Sequence, residues 1–534
     1  MLNKHVSSSW SGQAGFCTLC AGGSSQIAFI VRGGFAPRSR GRKLVKIALL
    51  CFCLIFVVAT PARAQGSVGT FTTFGVPGAG AGVLQGTFPV SINAAGDVTG
   101  FYGDTNSVFH GFVRAANGTM TYPIDAPGAG TGVFQGTFPI SINAVGDITG
   151  MCIDTNNALQ GFTRTADGTI TPIDVPGAGT GNNQGTLPFS INTAGVITGI
   201  YKDKSALRHG FVRAANGPIT TFDVKGAGTT GSAQGQGTQP LSINSVGDIT
   251  GFYVAANGGF HGFVRAADGT ITAPIDVPGA GTSGGTEHYG AVVGTLPLSI
   301  DAAGDITGIY SDTSGVRHAF VRAADGTMTY PIDAPGVATK GPGILPETFA
   351  ASINTAGLIT GTYGDTSGVL HVFVRAANGT ITAPIDAPGA GTAGPSLFQG
   401  TATLSINDLG DITGTYADAS GGLHGFVLKL AITPEAQAAN LQNIVGALVS
   451  AGTLSPGQGQ FLLAPLNAAL AALDPAPDTA ARAALDRGHT TAAIRELNEF
   501  IARVRLLVIF RRLEPAEGRI LIDAADSIIT ALRV

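Results

Sequence analysis

Residues 86–130 read GTFPVSINAAGDVTGFYGDTNSVFHGFVRAANGTMTYPIDAPGAG, and this stretch decides the fold of the chain. Its Ser-Ile-Asn triplet returns every 49 to 57 residues along the sequence. The triplet begins at Ser91, Ser141, Ser190, Ser242, Ser352 and Ser405, with Ser-Ile-Asp at Ser299. Repetition at this period is typical of units that bury their apolar faces by stacking on one another. The chain is therefore predicted to contain an array of seven repeats.

Each repeat has the pattern of four short strands separated by turns. In the first copy the β-prone runs are Thr87–Asn93, Val98–Tyr102, Val108–Arg114 and Thr119–Ile124. The Asn-Gly pair before the fourth run is a hairpin signal, because glycine takes the positive φ that a tight turn needs. Four antiparallel strands in about 50 residues, repeated, are typical of a β-propeller blade. A right-handed β-helix, which would need shorter coils, is the alternative architecture.

The two ends of the array are incomplete in complementary ways. The last copy stops at Leu430 without a fourth strand, whereas Thr70–Gly80, ahead of the first copy, matches a fourth strand and its exit. One blade would then be assembled from both termini, which closes a propeller and hides its sheet edges. We predict a mainly β fold over residues 66–430: a seven-bladed β-propeller of four-stranded blades, closed by the N-terminal strand.

Residues 1–64 have the composition of an export signal after an n-region extension. Basic residues from Arg38 to Lys46 precede the apolar run Ile47–Ala59, and Ala62–Ala64 is a small-x-small cleavage site. We predict cleavage before Gln65 and a secreted or extracytoplasmic protein, in the periplasm or at the cell surface. The apolar run is 13 residues long, short of the roughly 20 that a spanning helix needs, so no stable membrane anchor is expected after cleavage.

Removal of this segment changes the charge and the thiol content of the chain. The remainder holds 22 basic and 34 acidic residues, a net charge of −12, and an acidic surface argues against nucleic acid as a partner. Cys152 would be the one cysteine left, which excludes an intrachain disulfide. Oxygen-rich turns can bind Ca²⁺, but no Asp-x-Asp-x-Asp loop occurs, so the sequence predicts no metal and no cofactor.

Residues 431–534 change from the glycine-rich β pattern to alanine and leucine at helical spacing. Ser455-Pro456 has the form of a helix start, with serine as the cap and proline in the first turn. Thr491–Phe510 carries an apolar stripe at helical spacing. This segment is predicted to form a small antiparallel bundle of four or five helices.

Two motifs resemble known bacterial families. The first is the His-Gly-Phe-Val-Arg or His-Ala-Phe-Val-Arg phrase at His110, His209, His261 and His318. With Ser-Ile-Asn and Ile-Thr-Gly it resembles the bacterial extracellular HAF repeats over about residues 70–430. The second, at 492–501, resembles FIMAH, a small C-terminal domain of secreted bacterial proteins. These resemblances imply a secreted repeat protein with an appended helical module, and they supply no reaction.

Histidine recurs at one position of the repeat in six copies. These residues are His110, His209, His261, His318, His371 and His424. Blade symmetry keeps them too far apart to share a metal ion, whose bonds to ligands are about 2 Å long. We therefore interpret the histidines as structural, with each imidazole bonded to a neighbouring turn.

Ligand contacts are better placed where one copy departs from the others. The longest interval between triplets holds Glu287, His288 and Tyr289, and a second irregular loop brings Lys340 and Glu347. Glutamate and histidine can act as an acid and a base, or hold a ligand. No nucleophile motif accompanies them, so we take these five residues as candidate ligand-binding residues.

The sequence favours a secreted non-enzymatic repeat protein, an extracellular binding or surface-interaction scaffold for an unidentified extracellular or cell-surface ligand. The alternative is an extracellular polysaccharide hydrolase or lyase that uses one face of the propeller. A central pocket of unrepeated polar residues would favour the enzyme, and a surface of repeated residues favours the scaffold.

Overall fold

The computed structural model describes residues 68–82, 85–215, 217–230, 235–281, 293–338, 347–392, 399–450, 452–473 and 482–533. The predicted export signal lies outside the described residues. So do four of the five candidate ligand-binding residues, namely Glu287, His288, Tyr289 and Lys340.

Within these ranges 28 strands precede four helices. The strands are β1 Gly69–Phe74, β2 Gly86–Ile92, β3 Val98–Gly103, β4 Phe109–Arg114, β5 Met120–Ile124, β6 Gly136–Ile142, β7 Ile148–Ile153, β8 Leu159–Arg164, β9 Ile170–Ile173, β10 Gly185–Ile191, β11 Ile197–Lys202, β12 Arg208–Arg213, β13 Ile219–Phe222, β14 Gly237–Ile243, β15 Ile249–Val254, β16 Phe260–Arg265, β17 Ile271–Ile275, β18 Thr295–Ile300, β19 Ile306–Ser311, β20 Arg317–Arg322, β21 Met328–Ile332, β22 Thr348–Ile353, β23 Ile359–Gly364, β24 Leu370–Arg375, β25 Ile381–Ile385, β26 Gly400–Ile406, β27 Asp411–Ala417 and β28 Leu423–Leu430. The helices are α1 Pro434–Ser450, α2 Pro456–Leu473, α3 Arg482–Ile509 and α4 Pro515–Leu532.

Antiparallel pairing groups the strands in fours. In the first unit β2 pairs with β3, β3 with β4 and β4 with β5, and the same pattern continues through β25. The last unit consists of β26, β27, β28 and β1, because β1 pairs with β28 from Gly69↔Leu430 to Phe74↔Gly425. Antiparallel pairing inside each unit contradicts the β-helix alternative, whose strands are parallel.

The phenylalanine of the His-x-Phe motif forms the core of each unit. It is at most 2% exposed in every copy, at Phe112, Phe162, Phe211, Phe263, Phe320, Phe373 and Phe426. The threonine of Ile-Thr-Gly, on the neighbouring strand, donates its hydroxyl to the carbonyl of this phenylalanine, as from Thr99 to Phe112 at 3.0 Å. Burying such a side chain stabilises the fold by about 1.5–3 kcal/mol. The motif therefore recurs because every unit needs the same core.

Neighbouring units meet where the first strand of one touches the third strand of the unit before it. Gly136, which begins β6, lies beside Phe109, which begins β4. A Cβ atom on Gly136 would lie 1.9 Å from the Phe109 carbonyl oxygen, and its φ of 122° suits only glycine. The glycine of the Gln-Gly pair that opens most copies is thus required by close packing between units.

The four helices pack around one apolar core. Leu441, Leu466, Phe500 and Leu521, one from each helix, are at most 1% exposed. The start of α2 is as the sequence predicts, since Ser455 Oγ accepts the Gln458 N–H at 3.3 Å and Gln458 Oε1 accepts the Ser455 N–H at 2.7 Å. None of the helices in the described ranges is both long and apolar enough to cross a membrane.

Candidate functional site

The asparagines of the Ser-Ile-Asn triplets link each repeat to the next. In six copies the side-chain Nδ2 donates to the backbone carbonyl of the following triplet. The links run from Asn93 to Asn143 at 3.1 Å, Asn143 to Asn192 at 3.2 Å, Asn192 to Asn244 at 3.0 Å, Asn244 to Asp301 at 3.0 Å, Asn354 to Asn407 at 2.9 Å and Asn407 to Asn93 at 2.9 Å. Asp301 differs, because an ionised carboxylate has no hydrogen to donate to Asn354.

The serines of the triplets make a second set of links in the same place. Each Oγ accepts the N–H of the isoleucine in the following triplet, at 3.3–3.4 Å. The bond from Ile92 to Ser405 joins the first copy to the last. Both polar side chains of the triplet thus serve contacts between repeats.

The triplets line a cavity of about 260 Å³. Three consecutive residues from each copy form its wall: 92–94, 142–144, 191–193, 243–245, 300–302, 353–355 and 406–408. Ile444 and Leu448 of α1 and Glu517 and Leu521 of α4 line it as well, so the two helices form part of its wall. This volume is below the roughly 300–1,000 Å³ of typical small-molecule pockets.

Three carboxyl groups line the cavity, those of Asp301, Asp408 and Glu517. Asp301 is 5% exposed, and burial, reinforced by the nearby Asp305 and Asp408 carboxylates, raises its pKa to about 7. Burial also raises the pKa of Glu517, whose carboxylate accepts the backbone N–H of Glu514 at 3.3 Å. Because the asparagine amides are engaged between repeats, the cavity offers a ligand mainly carboxyl groups and apolar surface.

Sequence reasoning did not predict this cavity. Its chemical irregularity was nevertheless visible, because Asp301 is the one departure from Ser-Ile-Asn in seven copies. The buried Ser245 hydroxyl, another lining group, has no hydrogen-bond partner among the described residues. The other copies do not have serine at this position: the equivalent residues are Ala94, Ala144, Thr193, Ala302, Thr355 and Asp408. The repeat pattern therefore gave no signal for Ser245.

The recurrent histidines lie within their own units and do not converge. His110 Nδ1 is 2.7 Å from the Asp125 carboxylate, and its ring stacks on Tyr102 with the ring centroids 5.3 Å apart. Histidine-to-aspartate contacts recur at His209, His261, His318, His371 and His424. The hydrogen bond to Asp223 raises the pKa of His209. Among the described residues no group of three or more His, Cys, Asp or Glu could hold a metal ion.

Of the five candidate ligand-binding residues, Glu347 is the one in the described part of the chain. Its carboxylate lies 2.7 Å from Arg317 Nη1, and the two side chains are 10% and 4% exposed. Glu347 is therefore engaged in a buried ion pair between two units.

Comparison of the sequence with models of known protein families and with curated proteins gave no match. Similar solved structures include the BP39L lectin from Burkholderia pseudomallei, 13% identical over 64% of this chain and 94% of the lectin, with a TM-score of 0.40. A fungal lectin of Aleuria aurantia, described as a six-bladed β-propeller with a novel fucose recognition mode, is 13% identical over 58% of this chain and 97% of its own, with a TM-score of 0.31. A puromycin hydrolase is 13% identical over 66% of this chain and 54% of the hydrolase, with a TM-score of 0.37. These similar structures include both lectins and a hydrolase.

Proposed function

We propose that the chain is an exported, non-enzymatic binding scaffold: a closed seven-bladed β-propeller of HAF-type repeats with a FIMAH-like helical module over its axis. Closure is supported by the pairing of β1 with β28 and by the bond from Asn407 to Asn93. Such closure leaves no sheet edge free for unwanted pairing.

One observation carries the proposal: the recurrent polar side chains of the repeat are engaged in the architecture. The triplet serines and asparagines join neighbouring repeats. The Ile-Thr-Gly threonines bond to the core phenylalanine carbonyls, and the histidines bond to aspartates of their own units. The chemistry that the sequence repeats therefore builds the scaffold, and ligand contacts belong to residues that individual copies add.

The fourth strands of two units offer such copy-specific contacts. Tyr122 and Tyr330 hold equivalent places on β5 and β21 and are 38% and 36% exposed. Each packs edge-on against a tyrosine of its own unit, as Tyr122 does against Tyr102 with centroids 6.4 Å apart. An aromatic ring that is fixed by packing but still partly exposed provides contact area for a ligand, and little side-chain entropy is lost on binding. Other copies have Ala273 or Ala383 at this position.

Binding without turnover tests the function. The chain from Gln65 is incubated with neutral, acidic and sulfated extracellular polysaccharides, and both retention on the polymer and release of new sugar ends are measured. We expect retention by at least one polymer without release of new ends. Tyr122→Ala and Tyr330→Ala, which copy residues already present at equivalent positions, should weaken binding about 5- to 30-fold per ring, as loss of about 1–2 kcal/mol would. Catalytic release of sugar ends, or no retention by any polymer, would contradict the proposal.

Export is tested separately by the N-terminus of the chain recovered outside the cytoplasm. The full sequence expressed in a bacterial host should yield a periplasmic or extracellular protein that begins at Gln65. An Ala64→Asp variant, which removes the small residue at the cleavage site, should accumulate uncleaved. Recovery of wild-type chain only from the cytoplasm would refute the export proposal.

A further inference from the structure

Two units carry an arginine where the others are apolar. The first residue of the third strand lies beside the start of the next unit. It is Phe109, Leu159, Phe260, Leu370 or Leu423 in five copies, and Arg208 or Arg317 in the remaining two. Each arginine is thus placed between two units, where an uncompensated charge is costly.

Arg317 has a matched counter-charge. Its parallel partner on the next unit is Glu347, and the two side chains form the buried ion pair at 2.7 Å. The residue directly opposite Arg317 on the neighbouring strand is Ser311, which is small and uncharged. The charges of Arg317 and Glu347 therefore cancel where the fifth and sixth units meet.

Arg208 occupies the same place without that counter-charge. Its parallel partner on the next unit is Gly237, which has no side chain. Arg208 Nη1 donates to the Gly235 carbonyl at 2.9 Å. A Cβ atom on Gly235, whose φ is 71°, would lie 2.3 Å from this guanidinium, so glycine leaves the arginine room.

A second cation lies directly opposite Arg208. Lys202 is its partner in the β11–β12 register, and opposed residues on antiparallel strands share a face with Cβ atoms about 4.5–5.5 Å apart. Lys202 is 2% exposed, and its Nζ donates to Asn183 Oδ1 at 2.8 Å. Burial and the charge of Arg208 lower the pKa of Lys202 to about 7, and burial lowers that of Arg208 to about 10.

The nearest acid in sequence does not neutralise the pair. Asp203 Oδ1 accepts the N–H groups of Ser205 and Leu207 at 2.8 and 2.9 Å, and its other oxygen lies 3.7 Å from His209 Nε2. The partners shown for the two cations in the described part of the chain are an amide oxygen and a carbonyl oxygen, both uncharged. An ammonium has three donors and a guanidinium five, and these two bonds engage one donor of each group.

We propose that Lys202 and Arg208 form a binding site for an oxyanion: a carboxylate, sulfate or phosphate group, free in solution or carried by an acidic saccharide. A bound anion would compensate the charges of Lys202 and Arg208 between the third and fourth units, as Glu347 compensates the charge of Arg317 between the fifth and sixth. Charge-assisted hydrogen bonds from two cations, partly shielded from water, supply the affinity. The site uses residues of two adjacent units only, so it stands whether or not the chain is an exported scaffold.

Isothermal titration of the chain from Gln65 with sodium sulfate, sodium phosphate and sodium glucuronate, at ionic strength matched by sodium chloride, tests the site. We expect saturable binding by wild type. Lys202→Met and Arg208→Met should each weaken it at least ten-fold, while Arg317→Met, the matched substitution in the compensated pair, should leave it unchanged. Tighter binding of glucuronate than of sulfate or phosphate would identify an acidic saccharide as the source, and the reverse order a free anion.

A second variant guards against loss of folding. Asn183→Asp places a carboxylate beside Lys202 Nζ with little change of shape, and aspartate tolerates the left-handed φ of 60° found there. This internal counter-ion should raise the melting temperature of the anion-free protein and lower anion affinity at least ten-fold. The proposal is overturned if wild type shows no saturable binding, or if Lys202→Met, Asn183→Asp and Arg317→Met all bind as wild type does.

Discussion

Asp301→Asn is expected to stabilise the folded chain by about 2 to 4 kcal/mol at pH 8, and by much less at pH 4. Burial raises the pKa of Asp301 from 3.8 to about 7. Each unit of pKa difference between the folded and unfolded states corresponds to about 1.4 kcal/mol. Asparagine carries no charge at any pH, and its Nδ2 supplies the donor toward Asn354 that the other triplets have.

The sign of the pH effect follows from proton binding. Between about pH 4 and 7 the folded wild type retains the Asp301 proton that the unfolded chain releases, so its stability falls as the pH rises. The penalty is fully developed above pH 7 and absent below pH 4. The difference between wild type and variant isolates this one group from the other titrating residues.

Urea unfolding at pH 4, 6 and 8 measures the effect. Asn354→Asp, the reverse exchange in the adjacent triplet, is the matched control and should show the opposite change with the same pH dependence. If wild type and Asp301→Asn show the same dependence of stability on pH, the Asp301 carboxylate is not held in a buried site at the cavity.

Asn407→Leu is expected to destabilise the chain by at least about 3 kcal/mol. Asn407 is 5% exposed; its Nδ2 donates to the Asn93 carbonyl at 2.9 Å, and its Oδ1 accepts the N–H groups of Leu409 and Asp411 at 3.0 and 2.8 Å. Leucine fills the space and leaves these buried groups unpaired, at a cost of about 1–3 kcal/mol each.

Asn407→Asp separates the loss of the Nδ2 donor from the loss of the Oδ1 acceptor. Aspartate keeps the acceptor and loses only the donor that reaches the first copy, and Asp301 shows that the position admits it. At pH 4, where the buried carboxyl group adds little charge penalty, the loss should be well under half of that for leucine. Equal urea midpoints for the two variants would mean that the side-chain oxygen contributes nothing, which would contradict its hydrogen bonds to the Leu409 and Asp411 N–H groups.

The fold was largely predictable because its signals are local. The four strands of the first copy lie within one residue of their predicted limits, since the polar turns between them, among them Asn117-Gly118, set the strand ends. The helix start at Pro456 was predictable for the same reason, as its cap precedes it directly in sequence. Repetition supplied the remaining units.

The candidate sites were predictable only in part, because they depend on contacts between distant segments. The recurrence of Ser-Ile-Asn was plain, but not that its side chains join one repeat to the next, nor that α1 and α4 line the resulting cavity. Lys202 and Arg208 did carry a signal: both break positions that are apolar or small in most copies. The irregular loops pointed instead to Glu347, whose carboxylate is paired with Arg317.

The central claim, that the N-terminal strand closes the ring onto the last repeat, is tested most directly by a designed disulfide. Thr70 and Lys429 are opposed in the β1–β28 register and both are exposed. Opposed residues on antiparallel strands have Cα atoms about 4.5–5.5 Å apart, within the range that a disulfide spans. Oxidation of Thr70→Cys/Lys429→Cys should give rapid, nearly complete intrachain cross-linking under native conditions, and Thr70→Cys/Asn378→Cys should give little. Equal and slow cross-linking of both pairs would contradict a ring closed by β1.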